Sequence, residues 1–159
     1  MPPPRSFAVN LIPAATDPAL LDAQIACCLD LGVEAFSFFW DVVPKAVERV
    51  KAAECLVIHQ IGTQNAAREA EAAAADALIA QGIEAGGHVH GRTRAFDLAR
   101  QVMDETRLPV VVSGGITDGA GLAAALSAGF AGVQCYRLPR HRRVFRPRLP
   151  QAHCRVRWI

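Results

Sequence analysis

Absences narrow the field first. The five cysteines (Cys27, Cys28, Cys55, Cys135, Cys154) contain no C-x-x-C pair, and four of them lie in apolar runs, where cysteine behaves as a small hydrophobe. No metal site is read from them, and a reduced, cytoplasmic protein is expected. No stretch approaches the ~18 uninterrupted apolar residues of a membrane span, and the opening Met1-Pro2-Pro3-Pro4-Arg5 is followed by no apolar segment of signal type. Neither membrane insertion nor secretion is expected. Aromatic residues make up only 6% of the chain. Between Arg137 and Ile159 there is no acidic residue, and that Arg-rich stretch has just Tyr136, Phe145 and Trp158 around it for base stacking. No nucleic-acid partner is expected on that evidence.

What is present describes a globular domain followed by a stretch of different composition. The chain has 159 residues, 52% of them hydrophobic, which is enough to bury a core in one domain. The net charge of +2 conceals the basic end. A domain over residues 1–135 and an irregular Arg/Pro-rich tail over 136–159 are therefore expected. Six apolar runs read as buried strands: Phe7–Ile12, Val33–Trp40, Cys55–Ile61, Ala75–Gln81, Leu108–Ser113 and Ala131–Cys135. Between them, Asp17-Pro18 offers an N-cap and a first-turn proline, and Leu21, Ile25, Cys28 and Leu29 recur at helical spacing until Gly32. Further helices are predicted over Val43–Ala53, Ala66–Ala74, Thr93–Glu105 and Gly119–Ala128. Strand–helix alternation means an α/β fold with a parallel sheet, its strands buried on both sides. Periodicity leaves an open doubly wound sheet and a closed barrel equally available.

Two glycine-rich corners carry the chemical signal. Asp76–His88 is a strand that runs into Gly86-Gly87 with His88 at the tip, and glycines there let backbone approach a flat ligand. Pro109–Ile116 places Gly114-Gly115 between a strand and a helix, where N–H groups and the helix dipole suit a phosphate. Plainer readings stand beside these. His88 is a surface residue on its own merits, Gly114-Gly115 a tight turn, Asn10 a turn cap and Glu84 a surface charge. His90 reads as a solvated neighbour, His59 as a barrel-rim residue, and Cys27-Cys28 as facing a helix core.

Asp76–His88 resembles the D-A-L-(I/V)-A-Q-G-x-E-A-G-G-H signature of the nitronate monooxygenase (2-nitropropane dioxygenase) family. Leu108–Gln134 is similar to that family's next two strands, and Phe7–Leu11 to its G-V-N-L strand. The resemblance implies a (β/α)8 TIM-type barrel, here with about six of eight units, and FMN as cofactor. It implies that Asn10, Gln81 and Gln134 contact the flavin, that Gly86 and Gly87 lie close to its ring, and that Gly114 and Gly115 receive its phosphate. His88 would be the catalytic base that takes the α-proton of a neutral nitroalkane, with reduced flavin passing electrons to O2. The substrates implied are alkyl nitronates or nitroalkanes.

The chain also departs from the pattern. The resemblance implies two strands before Phe7, and where the family continues G-V-Q-(L/M)-G-T, this chain reads Cys135-Tyr136-Arg137. Back-translated and read one base later, residues 136–153 give Thr-Ala-Phe-Leu-Ala-Thr-Asp-Glu-Ser, similar to the family's own continuation, so an out-of-frame tail is expected. Open barrel edges would favour self-association. Two other functions stay in view: a flavin-type enoyl-acyl-carrier-protein reductase, whose NAD(P)H site is not identifiable here, and a non-catalytic remnant with a basic tail.

Overall fold

The computed structural model describes residues 7–135. The tail over 136–159, its irregular character and its reading frame lie outside the described residues. Six strands alternate with five helices: β1 (Val9–Leu11), α1 (Pro18–Asp30), β2 (Ala35–Phe39), α2 (Pro44–Ala52), β3 (Leu56–Ile61), α3 (Gln64–Ala72), β4 (Ala77–Gln81), α4 (Ala95–Met103), β5 (Val110–Ser113), α5 (Gly119–Ser127) and β6 (Gly132–Gln134). A short 3₁₀ turn, Pro13–Ala15, precedes α1 and has no counterpart in the sequence reading. Local chemistry starts three of the helices. The Asp17 carboxylate accepts from Ala19 N at 3.0 Å and Leu20 N at 3.1 Å, Thr63 Oγ1 accepts from Ala66 N at 3.1 Å, and Asp118 Oδ1 accepts from Gly121 N at 2.8 Å.

All pairings are parallel, and the strands lie in sequential order from β1 to β6. A doubly wound sheet reverses direction at a switch point; this one does not. The register adds a second distinction. Leu11 pairs with Phe38, Phe39 with Gln60, Ile61 with Ala80, and Gln81 with Ser113. Each strand from β2 to β4 thus ends one register position beyond the one before it. That stagger is the shear of tilted barrel staves, and it brings the strand ends to one rim. The fold is an arc of a (β/α)8-type barrel, with β1 and β6 each having one partner among the described residues.

Parallel partners point to the same side of a sheet. One side carries Phe36, Phe38, Val57, Ile61, Leu78, Ala80, Val110, Val112 and Val133, which pack with Leu21 and Ile25 of α1, Val47 and Val50 of α2, Ala67 and Ala70 of α3, and Leu98 and Val102 of α4. This is the core, between sheet and helices. The other side is concave and carries Asn10, Ser37, Phe39, Gln60, Ile79, Gln81, Ser113 and Gln134. Here burial on both sides is corrected: Ser37, Ile58, Gln60 and Val111 are half-exposed, because no element among the described residues closes over them.

His59 is also corrected. It is not at the rim but in the middle of β3, beside Phe38 in register and fully buried on the helix side. Its ring meets Phe38 edge-on, with centroids 6.4 Å apart. Burial holds its pKa below the usual 6.5 and outweighs a hydrogen bond between Nδ1 and the Gln60 carbonyl, while Nε2 has no partner among the described residues. Among the cysteines, Cys55 is buried and Cys28 packs partly against the core, whereas Cys27 is exposed.

Among the described residues no helix is long and apolar enough to cross a membrane.

Candidate functional site

Polar residues collect at the C-terminal ends of the strands, the end on which barrel enzymes build their sites. Gln81, Ser113 and Gln134 close β4, β5 and β6 and form one register row on the concave side. Asn10 lies three strands away, one residue before the end of β1, and the stagger carries it to the same rim. Gln81 and Ser113 are buried, whereas Asn10 and Gln134 are exposed.

Gln81 is 4% exposed. Its Nε2 donates to the His88 carbonyl at 3.0 Å, which ties the far end of the glycine loop back to the strand that launches it. Its Oε1 is buried without a partner among the described residues. An amide acceptor left this way costs about 1–3 kcal/mol, and native structures rarely leave one unexplained.

The loop that follows is held from several directions. Glu84, read as a surface charge, is exposed and also accepts from Ala95 N at 2.9 Å and from Arg94 Nε at 3.2 Å, so the loop caps the start of α4. Burial pushes the Glu84 carboxyl up, but the bonds from the Ala95 amide, its own amide and Arg94 outweigh this and hold it below its ordinary 4.5. The backbones of Gly62, just after β3, and Gly91 pass in contact. Gly86 has open space around its α-carbon, and Gly87 turns with φ 79°. On the neighbouring strand Gly114 has φ 123°, accessible to glycine and almost nothing else, and a Cβ there would meet Ala85 N at 2.9 Å. Gly114-Gly115 is thus a turn set directly against the Glu84-Ala85 loop.

His88 is exposed, and its ring meets Trp40 edge-on with centroids 5.9 Å apart and planes at 88°. His90, read as a solvated neighbour, places Nε2 3.5 Å from the Asp41 carboxylate. The structure therefore brings Gln81, Gly86, Gly87, His88, Gly114 and Gly115 together, with Gln134 in the register row of Gln81 and Asn10 across the arc. Trp40, Ser37, Gly62 and Gly91 were not foreseen. For Trp40 the available signal was an aromatic pair ending a strand; for the Gly62–Gly91 contact there was none.

This arrangement has known counterparts. The sequence profile of the family described as nitronate monooxygenase matches residues 7–136. The chain belongs to that family. It is 41% identical over 110 residues to the nitronate monooxygenase of Paraburkholderia phytofirmans, covering 64% of this chain and 30% of that protein. Against a (3aS,4S,5R,7aS)-5-hydroxy-7a-methyl-1-oxo-octahydro-1H-indene-4-carboxyl-CoA dehydrogenase of Rhodococcus jostii it is 38% identical over 130 residues, covering 81% of this chain and 35% of the relative. Among solved structures, FabK from Thermotoga maritima superposes with a TM-score of 0.73 at 34% identity, covering 82% of this chain and 40% of that one. The chain spans about a third of the length of the curated relatives it matches.

Proposed function

We propose that this chain supplies the flavin-binding rim of an FMN-dependent nitronate monooxygenase, which oxidises alkyl nitronates or nitroalkanes with O2 to carbonyl compounds and nitrite. The observation that carries the reading is the buried Gln81 Oε1, which needs a hydrogen-bond donor and faces the concave side. An isoalloxazine ring offers an imide N–H of that kind. Gly86 leaves room for a flat ring, and the amides of the Gly114-Gly115 turn suit the phosphate. Asn10 and Gln134 are the outer polar contacts, and Gly87 turns the loop between Gly86 and His88. When bound, FMN supplies the two-electron chemistry and the route to O2. The chain's own chemical contribution is His88, whose imidazole takes the α-proton from a neutral nitroalkane.

Two measurements test this. In equilibrium dialysis the chain should take up FMN reversibly, and Gln81→Leu should weaken uptake about fivefold, the equivalent of ~1 kcal/mol for one hydrogen bond. Unchanged uptake would remove the central observation. With FMN supplied, His88→Asn should depress nitrite release from nitroethane far more than from ethyl nitronate, which has already lost its proton. Equal losses on both substrates would sink the assignment of His88 as base.

The relative named as a carboxyl-CoA dehydrogenase favours a second reading, a flavin-type reductase acting on an acyl thioester such as an enoyl-acyl-carrier-protein. NADPH consumption without nitrite release would select it.

A further inference from the structure

Three non-glycine residues among those described have left-handed backbone: Trp40 (φ 71°), Glu54 (φ 58°) and Ala74 (φ 66°). Glu54 and Ala74 follow the ends of α2 and α3, where a left-handed residue is an ordinary way to finish a helix. Trp40 follows a strand. A bulky side chain in this conformation costs about 1–2 kcal/mol, and such strain persists only where the surroundings over-determine it.

The surroundings of Trp40 are aromatic and lie at the site. Its ring sits 5.5 Å from that of Phe39, which faces the concave side, and 5.9 Å from that of His88 in the edge-to-face arrangement that ring quadrupoles favour. The next residue, Asp41, reaches His90. Two consecutive residues after β2 therefore engage both histidines of the loop after β4, across the intervening end of β3. Gln81 holds the main chain of His88, and Trp40 borders its ring.

We propose that Trp40 is a positioning residue for His88: the left-handed turn after β2 sets the indole beside the imidazole and fixes the plane in which that ring meets substrate. The functional half of this rests on His88 being the base; the contact itself does not.

Trp40 and Trp158 are the two tryptophans, so Trp158→Phe leaves Trp40 as the one indole emitter. A protonated imidazole in contact quenches indole emission more strongly than a neutral one. Emission should therefore fall when acid protonates the imidazole in contact with the indole. The transition should vanish in His88→Asn and persist in His90→Asn. By NMR, the ring-current shift of the His88 Cε1–H resonance should be lost in Trp40→Gly and partly kept in Trp40→Phe. With FMN supplied, Trp40→Gly should lower kcat on nitroethane more than on ethyl nitronate, and Trp40→Phe should restore part of it. A transition that survives His88→Asn overturns the proposal whatever becomes of His88 as base. A His88-dependent transition combined with equal losses on both substrates in His88→Asn overturns the base assignment, and with it the functional half, while the contact stands.

Discussion

Gly82 and Gly86 are four residues apart in the same loop, and their replacement by alanine should have opposite effects. A Cβ on Gly82 would fall within the backbone of Ala95, the first residue of α4, and only 2.5 Å from its Cβ. Backbone cannot rotate away as a long side chain can, so the start of α4 must shift. Forcing atoms into a packed site costs ~1–3 kcal/mol. At Gly86 a Cβ meets nothing within 4 Å and φ is ordinary, so alanine should stabilise by ~0.4–1 kcal/mol through the unfolded chain. The gap between the two variants is then about 1.4–4 kcal/mol. At roughly 2–4 °C per kcal/mol for a chain of this size, they should melt about 3–16 °C apart. Urea unfolding followed by far-UV circular dichroism supplies the free energies independently. Gly86→Ala should nonetheless reduce FMN uptake, because the added methyl occupies the space left for the ring. Variants with indistinguishable melts would refute the packing argument, and undiminished FMN uptake by Gly86→Ala would refute the placement of the flavin.

His59 stays neutral in the fold because burial lowers its pKa, so the unfolded chain binds the extra proton more readily. Stability should be intact above pH 6.5 and decline as pH falls below it, by at most about 1.4 kcal/mol per pH unit from this residue; His59→Leu should flatten that limb in urea titrations between pH 5 and 7, and an unchanged slope would exclude His59 as its source. Glu84 runs to lower pH: its depressed pKa makes the cap on α4 complete above about 4.5 and lost as acid protonates it, so Glu84→Gln should be less stable at pH 7, by ~1 kcal/mol, and converge with the parent in acid. Asp76 accepts from Val57 N at 2.7 Å and pairs with Lys51 Nζ at 2.6 Å. Asp76→Ala orphans a buried amide and should cost about 1–3 kcal/mol, whereas Lys51→Met, which removes a half-exposed charge, should cost under ~1 kcal/mol; equal costs would contradict this ranking.

The strands were legible because each is a short β-branched or aromatic run between turn signals, and Gln81, Gly114 and Gly115 because their motif fixes the strand end on which they sit. His59 was misplaced because one step of parity along β3 separates rim from core, and only the pairing with Phe38 reveals which side it takes. The conformation of Trp40 had no sequence signature, since a bulky residue in left-handed backbone is the opposite of what local preference selects. Contacts such as Gly62 against Gly91 depend on two loops converging from different strands, which no local pattern encodes.

The alternation along each strand has a consequence for how this chain can diversify. Phe36 and Phe38 belong to the core while Ser37 and Phe39, interleaved with them, belong to the concave side. Substitutions at one set need not disturb the other, so substrate preference can drift while the helix-covered side is conserved for stability. The same interleaving makes the chain intolerant of length changes within a strand: a single residue inserted before Phe36 would turn the two phenylalanines of the core outward and present Ser37 and Phe39 to the helices. Variation at this site is therefore confined to exchange of side chains and to the loops, and insertions in β2 through β5 should be selected against even where no catalytic residue is touched.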